Sequence, residues 1–171
     1  MYVKKKSGVW IILLMFVCFL PFICTGEQKW ADAEHQFAKD NAALVFIVKQ
    51  SSKYKDALLE NITSNLAEQS VSYEVADLSA LKKLNAEEYN AIVIIQYVKA
   101  GRINGNVRRY LDKTEHMDKL VLVTTSGSGD SKTDAWDVDT ISTASEMSDV
   151  DKIARAVLSK LEILLKIEFA T

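Results

Sequence analysis

The apolar residues of this chain fall into five short runs that alternate with segments of helical spacing. The runs lie at residues 42–48, 71–76, 91–95, 120–124 and 138–143. Those at residues 91–95 and 120–124 are rich in Val and Ile and lack polar alternation, which is typical of strands covered on both faces in a parallel sheet. Alternation of strands and helices with right-handed crossovers predicts a doubly wound α/β domain, whose parallel five-stranded sheet has the strand order 2-1-3-4-5.

The segments between the runs predict helices of unequal length. After the first run, Leu58, Ile62 and Leu66 share one face of a helix. Shorter helices are expected at residues 78–88 and 107–114, and the second of these is basic.

The last part of the chain departs from this alternation. Residues 126–137 are too polar and too rich in Gly and Ser for a full crossover helix, so the fourth helix is expected to be reduced to a turn. A long final helix is expected to begin at Ser148 and Asp149. Asp151 follows Ser148 at the spacing of a capping box, which supports this start.

The N-terminus has the pattern of a targeting segment. Lysines at residues 4–6 precede an almost wholly apolar stretch at residues 9–24, which predicts an apolar helix that inserts in a membrane. We interpret residues 1–26 as a signal peptide or a retained membrane anchor, residues 27–41 as a linker with a short helix, and residues 42–171 as the folded domain. The lysines are expected to stay in the cytoplasm, which places the domain in the cell envelope, anchored or secreted, on the far side of the membrane.

Composition argues against several classes of protein. A formal net charge of -2 argues against a nucleic-acid surface. Both cysteines, Cys18 and Cys24, lie in the apolar stretch, so no thiol chemistry is expected in the domain, and Ile23 is not the small residue that precedes a lipidated cysteine. His35 and His116 lack the spacing of zinc ligands. No Ser-His-Asp set or pair of catalytic carboxylates is evident, so no catalytic residue is assigned.

The loops after the third and fourth runs are expected to flank a ligand crevice, because ligands of open parallel sheets bind beyond the carboxyl ends of the strands. These loops are residues 96–106 and 125–136. They contain Tyr97 and Trp136, two aromatics suited to stacking on a ligand. Loop aromatics also cover the exposed edges of a core, so both interpretations stay open.

The third run and its surroundings carry a family resemblance. The order of elements, and especially YNAIVIIQYVKAGRINGNVRRYLDK followed by KLVLVTTSGSG, resembles the flavodoxin-like superfamily. Within it, the chain resembles the short flavodoxin-domain proteins that include the menaquinone-dependent protoporphyrinogen dehydrogenases. At the positions of residues 97–111, members carry an aromatic, a Gly-Arg/Lys-Ile and a helix that ends in a Phe/Tyr-Leu pair. The resemblance covers residues 42–165 and implies FMN as the cofactor, bound at the carboxyl ends of the strands.

The resemblance also implies which residues bind FMN. The first loop is implied to hold the phosphate through Ser51, Ser52 and Lys53. The residues implied to lie near the ring are Tyr97, Gly101, Thr125, Ser126, Gly127 and Trp136. The family's first loop usually reads Ser/Thr-x-Thr-Gly-x-Thr, whereas the loop here, QSSKYKD, lacks the glycine that lets the backbone approach a phosphate.

Each of these residues also has an ordinary structural interpretation. The first loop is then a capped helix start with surface lysines, Gly101 is a turn residue, and residues 124–128 are a solvated polar loop. Arg102, Arg108 and Arg109 resemble a phosphate-binding patch, although a charged helix face is usually only solvated.

Two functions therefore compete. The first is an exported or membrane-tethered flavodoxin-like domain that binds FMN and passes electrons to a redox partner. The second is a cofactor-free domain of the same fold that serves as a binding or assembly module outside the cytoplasm. The altered first loop favours the second function, whereas only the first assigns roles to named residues.

Overall fold

A six-stranded sheet organises the described part of the protein. The structure is a computed structural model that describes residues 34–36, 43–129 and 135–169. The strands are β1 (Glu34–Gln36), β2 (Leu44–Lys49), β3 (Ser72–Asp77), β4 (Ala91–Tyr97), β5 (Leu120–Thr125) and β6 (Asp139–Thr143). The α-helices of these residues are α1 (Lys53–Glu68), α2 (Gly105–Leu111) and α3 (Val150–Leu165).

The strand order confirms the predicted fold. The sheet runs β1-β3-β2-β4-β5-β6, and the strands from β2 to β6 are parallel to one another. Numbered from the first predicted run, these five strands have the expected order 2-1-3-4-5. Because all five point the same way, their carboxyl ends share one edge of the sheet, and the loops of the candidate site extend from that edge.

The edge strand β1 differs from the linker helix that we expected. Glu34–Gln36 pairs antiparallel with β3. This pairing satisfies backbone groups on the outer edge of β3, which a helix in the linker cannot do. The rest of the predicted linker and the whole apolar segment at residues 9–24 lie outside the described residues. Within the described residues, no helix is long and apolar enough to cross a membrane.

The two faces of the sheet are covered unequally. On one face, α1 and α3 pack together over a continuous apolar cluster that includes Ile47 and Val93. On the other face, Ile94 and Leu122 are equally buried, but α2 and short turns cover them. Between β5 and β6, the described residues contain no helix, as the polar composition of that connection predicts.

The connection from β3 to β4 is not the helix that we predicted at residues 78–88. It forms two 3₁₀ turns, Ala80–Lys82 and Ala86–Glu88. The side chain of Asp77 accepts a hydrogen bond from the N–H two residues later, and Asn85 does the same. Such local side-chain bonds compete with a continuous helix, so the segment breaks into turns.

The two later helices also start at places other than the predicted ones. The Asn104 side chain accepts a hydrogen bond from the Asn106 N–H at 2.8 Å, so α2 begins two residues earlier than expected. The capping box predicted for α3 at Ser148 is wrong, because Asp149 is the N-cap and makes no side-chain capping bond. The Asp151 carboxylate instead accepts a hydrogen bond from Asn61 of α1 at 2.9 Å.

Candidate functional site

The loop after β2 turns directly into α1. Ser52 is the N-cap of the helix, and its Oγ accepts a hydrogen bond from the Lys55 N–H at 3.3 Å. Ser51 and Lys53 are exposed. The loop therefore has the capped start that its sequence allows, and the Ser52 hydroxyl takes part in it.

Lys55 is the residue of this loop region that sequence reasoning missed. It is only 5% exposed, and its ammonium lies 3.4 Å from Ser52 Oγ. The described residues contain no carboxylate in an ion pair with it. Burial lowers the pKa of Lys55, and the nearby charge of Asp56 offsets only part of that effect. Because buried lysines are nearly always paired, this ammonium favours an anionic ligand.

A pattern in the sequence could have identified Lys55. It lies three residues before Leu58 and seven before Ile62, so it occupies a position on the apolar face of α1. Leu58 and Ile62 are both fully buried. A lysine in such a stripe at the first turn of a helix is therefore directed toward the protein rather than toward solvent.

Tyr97 is the exposed aromatic at the end of β4. Its side chain is 41% exposed, and the Lys55 ammonium lies 5.7 Å from the centre of its ring. The Tyr97 N–H donates to Gln50 Oε1 at 2.6 Å, and the Gln50 N–H donates to the Ile95 carbonyl at 3.1 Å. Gln50, which the sequence did not single out, thus fixes the first loop against β4. The exposed part of the ring stays open to a ligand.

Gly101 has a defined backbone role. Lys99 and Arg102 exchange two backbone hydrogen bonds, at 3.1 and 3.0 Å, around a two-residue turn. The two central residues, Ala100 and Gly101, have positive φ angles of 50° and 72°. Tight hairpin turns require this conformation, and glycine adopts it without strain. The structure therefore shows that Gly101 is a turn residue.

The loop after β5 is closed by its own hydrogen bonds. The buried Thr125 hydroxyl donates to the Gln96 carbonyl at 3.1 Å. The Ser126 N–H donates to the Thr143 carbonyl at 3.0 Å, and Ser126 Oγ accepts a bond from the Gly129 N–H at 2.9 Å. Gly127 is exposed and has open space around it. Of the three predicted contacts in this loop, only Gly127 offers an unoccupied surface.

The structure does not bring Trp136 to Tyr97. Trp136 Nε1 donates to Asp112 Oδ1 at 3.0 Å, and Asp112 follows the last residue of α2. The helix starts near the carboxyl edge of the sheet and runs back toward the amino edge. β6 then begins at Asp139, opposite the second residue of β5. Trp136 therefore lies near the amino edge of the sheet, where it packs on the core beneath α2. It is not part of the candidate site.

Four residues and one loop thus lie together at the carboxyl edge of the sheet. The residues are Gln50, Ser52, Lys55 and Tyr97, and the loop is the one after β5 that contains Gly127. Tyr97 and Thr125 are direct partners across β4 and β5, so the first, third and fourth predicted loops adjoin one another. No group of three or more metal-ligating side chains occurs among the described residues. The arrangement offers one buried cation, one hydroxyl and one exposed aromatic ring.

Solved structures resemble this chain in fold, although no family model and no curated protein matches it. Oxidised flavodoxin 2 from Bacillus cereus has a TM-score of 0.52 at 12% identity, over 71% of this chain and 99% of that one. A short-chain flavodoxin associated with a non-canonical PDU bacterial microcompartment has a TM-score of 0.51 at 9% identity, over 72% and 99%. A variant of the flavo-diiron protein from Thermotoga maritima has a TM-score of 0.53 at 15% identity, over 75% of this chain and 37% of that one. The chain therefore has the flavodoxin-like fold.

Proposed function

We propose that this chain is a flavodoxin-type protein that binds FMN and transfers electrons. The observation that carries the proposal is the buried Lys55 ammonium, which has no carboxylate partner among the described residues and lies beside Tyr97 at the N-terminus of α1. A phosphate dianion supplies the counter-charge that this ammonium lacks. The flavodoxin-like fold supports the same class of cofactor.

The residues at the carboxyl edge suit the two ends of FMN. We assign the phosphate to Lys55 and Ser52, so the charge of a lysine replaces the glycine-rich backbone cradle of the family. We assign one face of the ring to Tyr97, and the open space at Gly127 leaves room for the ring edge. Bound flavin supplies one- and two-electron transfer, while the protein binds and orients it.

A fluorescence titration tests this function. FMN added to the purified full-length protein in detergent is expected to lose fluorescence as its ring stacks on Tyr97. Tyr97→Leu is expected to weaken FMN and riboflavin alike, by about 0.5 to 1.5 kcal/mol, because the two ligands share the ring that the tyrosine contacts. A colourless protein that leaves FMN fluorescence unchanged at high micromolar concentrations would exclude the function.

A cofactor-free binding or assembly module is the second candidate. The first loop favours it, because the Ser52 hydroxyl caps α1, Gln50 holds the Tyr97 backbone, and Lys49 pairs with Asp56. Together these contacts close the loop without any ligand. The same titration distinguishes the two functions, since a module of this kind neither becomes yellow nor quenches FMN.

We further propose that the domain acts outside the cytoplasm, in the cell envelope, with residues 9–24 as its membrane anchor or export signal. Its partner is then a redox or assembly protein of that compartment. Alkaline phosphatase fused after Thr171 is expected to be active in cells, because lysines at residues 4–6 hold the N-terminus in the cytoplasm. Replacing those lysines with glutamates is the matched control and is expected to reduce export. Full activity of a reporter that works only in the cytoplasm would contradict the proposed location.

A further inference from the structure

A cavity lies away from the candidate FMN site, between the 3₁₀ turns after β3 and helix α2. Its volume is about 520 Å³, within the range of roughly 300 to 1,000 Å³ that is usual for small-molecule sites. One wall consists of the 3₁₀ turns at residues 80–82 and 86–88, and the other consists of α2 and the residues that follow it. The unusual connection from β3 to β4 therefore creates a concave surface on the thinly covered face of the sheet.

Three cationic side chains converge on this cavity. Lys82 comes from the turns, Arg109 comes from the last turn of α2, and Lys113 is the second residue after that helix ends. All three side chains are exposed at the mouth of the cavity. None of the three forms an ion pair with a described carboxylate, in contrast to Arg108, which pairs with Asp112. This convergence favours an anion that neutralises the cluster.

The remaining lining suits an organic anion rather than a bare ion. Glu87 and Glu115 also line the cavity, so three cations and two carboxylates leave an excess of one positive charge. Beside the charged groups, the half-buried Leu84 contributes apolar surface, and the nearly buried Leu81 lies at the base of the cavity. A ligand with a phosphate at one end and an apolar body at the other matches both parts of the lining.

We propose that this cavity binds a small organic phosphate, with its phosphate among Lys82, Arg109 and Lys113 and its apolar part against Leu81 and Leu84. The site goes beyond the FMN function and does not depend on it. It lies on the α2 face of the sheet, whereas Lys55 belongs to α1 on the opposite face. It also gives a role to Arg109, one of the arginines that resemble a phosphate patch in the sequence.

Calorimetric titration of the full-length protein with phenyl phosphate tests the proposal. Saturable binding is expected, and the double variant Arg109→Gln with Lys113→Gln is expected to bind at least about tenfold more weakly, because it loses two charge-assisted contacts. The matched control is Lys152→Gln with Arg155→Gln, which removes two exposed cations from α3. This control is expected to bind phenyl phosphate like the unaltered protein.

Three results would overturn the phosphate site, and a fourth would overturn its apolar part. The first is the absence of saturable heat up to about 10 mM phenyl phosphate. A dissociation constant above that concentration corresponds to a binding free energy weaker than roughly 3 kcal/mol. The second is an equal loss in the cavity variant and the α3 control, which indicates non-specific charge attraction. The third is loss in Lys55→Met without loss in the cavity variant, which places the phosphate at the first loop. Equal affinity for inorganic phosphate would overturn the contact with an apolar body.

Discussion

Replacing Lys55 with methionine is expected to weaken FMN binding by about 2 kcal/mol, or ~30-fold, and to leave riboflavin binding unchanged. Lys55 as a residue is 5% exposed, and the only described hydrogen bond of its ammonium is a long one to Ser52, so the phosphate is assigned as its principal partner. Methionine keeps an unbranched side chain of similar length in the apolar stripe of α1 and removes only the charge. Fluorescence titrations with both flavins measure the difference, since riboflavin is FMN without its phosphate.

Lys53→Met is the matched control for this prediction. Lys53 lies two residues earlier in the first turn of α1 and is exposed. Its substitution removes the same formal charge as Lys55→Met. We expect it to change FMN affinity by less than about threefold, because exposed charges are screened by solvent and salt. Equal losses in the two variants would contradict a direct contact between Lys55 and the phosphate. Equal losses of FMN and riboflavin in Lys55→Met would indicate that the lysine supports Tyr97 instead.

Ile94→Ala is expected to destabilise the protein by about 3 kcal/mol, within the usual range for removing a large aliphatic side chain from a core. Ile94 is fully buried on the α2 face, between Val48 of β2 and Leu122 of β5. The prediction tests whether this face, which only a short helix and turns cover, is a close-packed core. Chemical denaturation followed by circular dichroism measures the free energy of unfolding.

Ile163→Ala provides the control for Ile94→Ala. Ile163 lies on α3 with its side chain 72% exposed, so the same deletion of atoms is expected to change stability by less than about 0.5 kcal/mol. A loss below about 1 kcal/mol in Ile94→Ala would mean that the α2 face relaxes around the missing atoms. That outcome would identify this face as loosely packed, in spite of its complete burial.

The strands of this protein could be predicted from local pattern alone. Each of the five apolar runs became a parallel strand, with bounds that moved by no more than two residues. The short helices were harder, because side chains such as Asp77 and Asn85 form local hydrogen bonds that compete with helix. The edge strand β1 was missed because its three residues have no apolar run and are recruited by the free edge of β3.

The candidate site was predicted less completely than the fold. Sequence reasoning selected Tyr97 and the first loop, and the structure brings them together through Gln50. It missed Lys55, since a lysine in a helix is ordinarily read as a surface residue. It also placed Trp136 beside the ring, because the direction of the return from β5 to β6 cannot be read from a polar, glycine-containing segment.

The sequence by itself determined the centre of the parallel sheet, because the apolar runs that became β4 and β5 have no polar face to expose and are buried on both faces. It likewise determined that the connection from β5 to β6 would lack a full helix, because residues 126–137 are too polar and too rich in Gly and Ser. Only the tertiary structure decided that Lys55 meets Tyr97 and that Trp136 does not. The distances of Lys55 and Trp136 from Tyr97 depend on the register of β4 against its neighbours and on the position of α1 over the sheet. Both arise from packing between residues far apart in the chain.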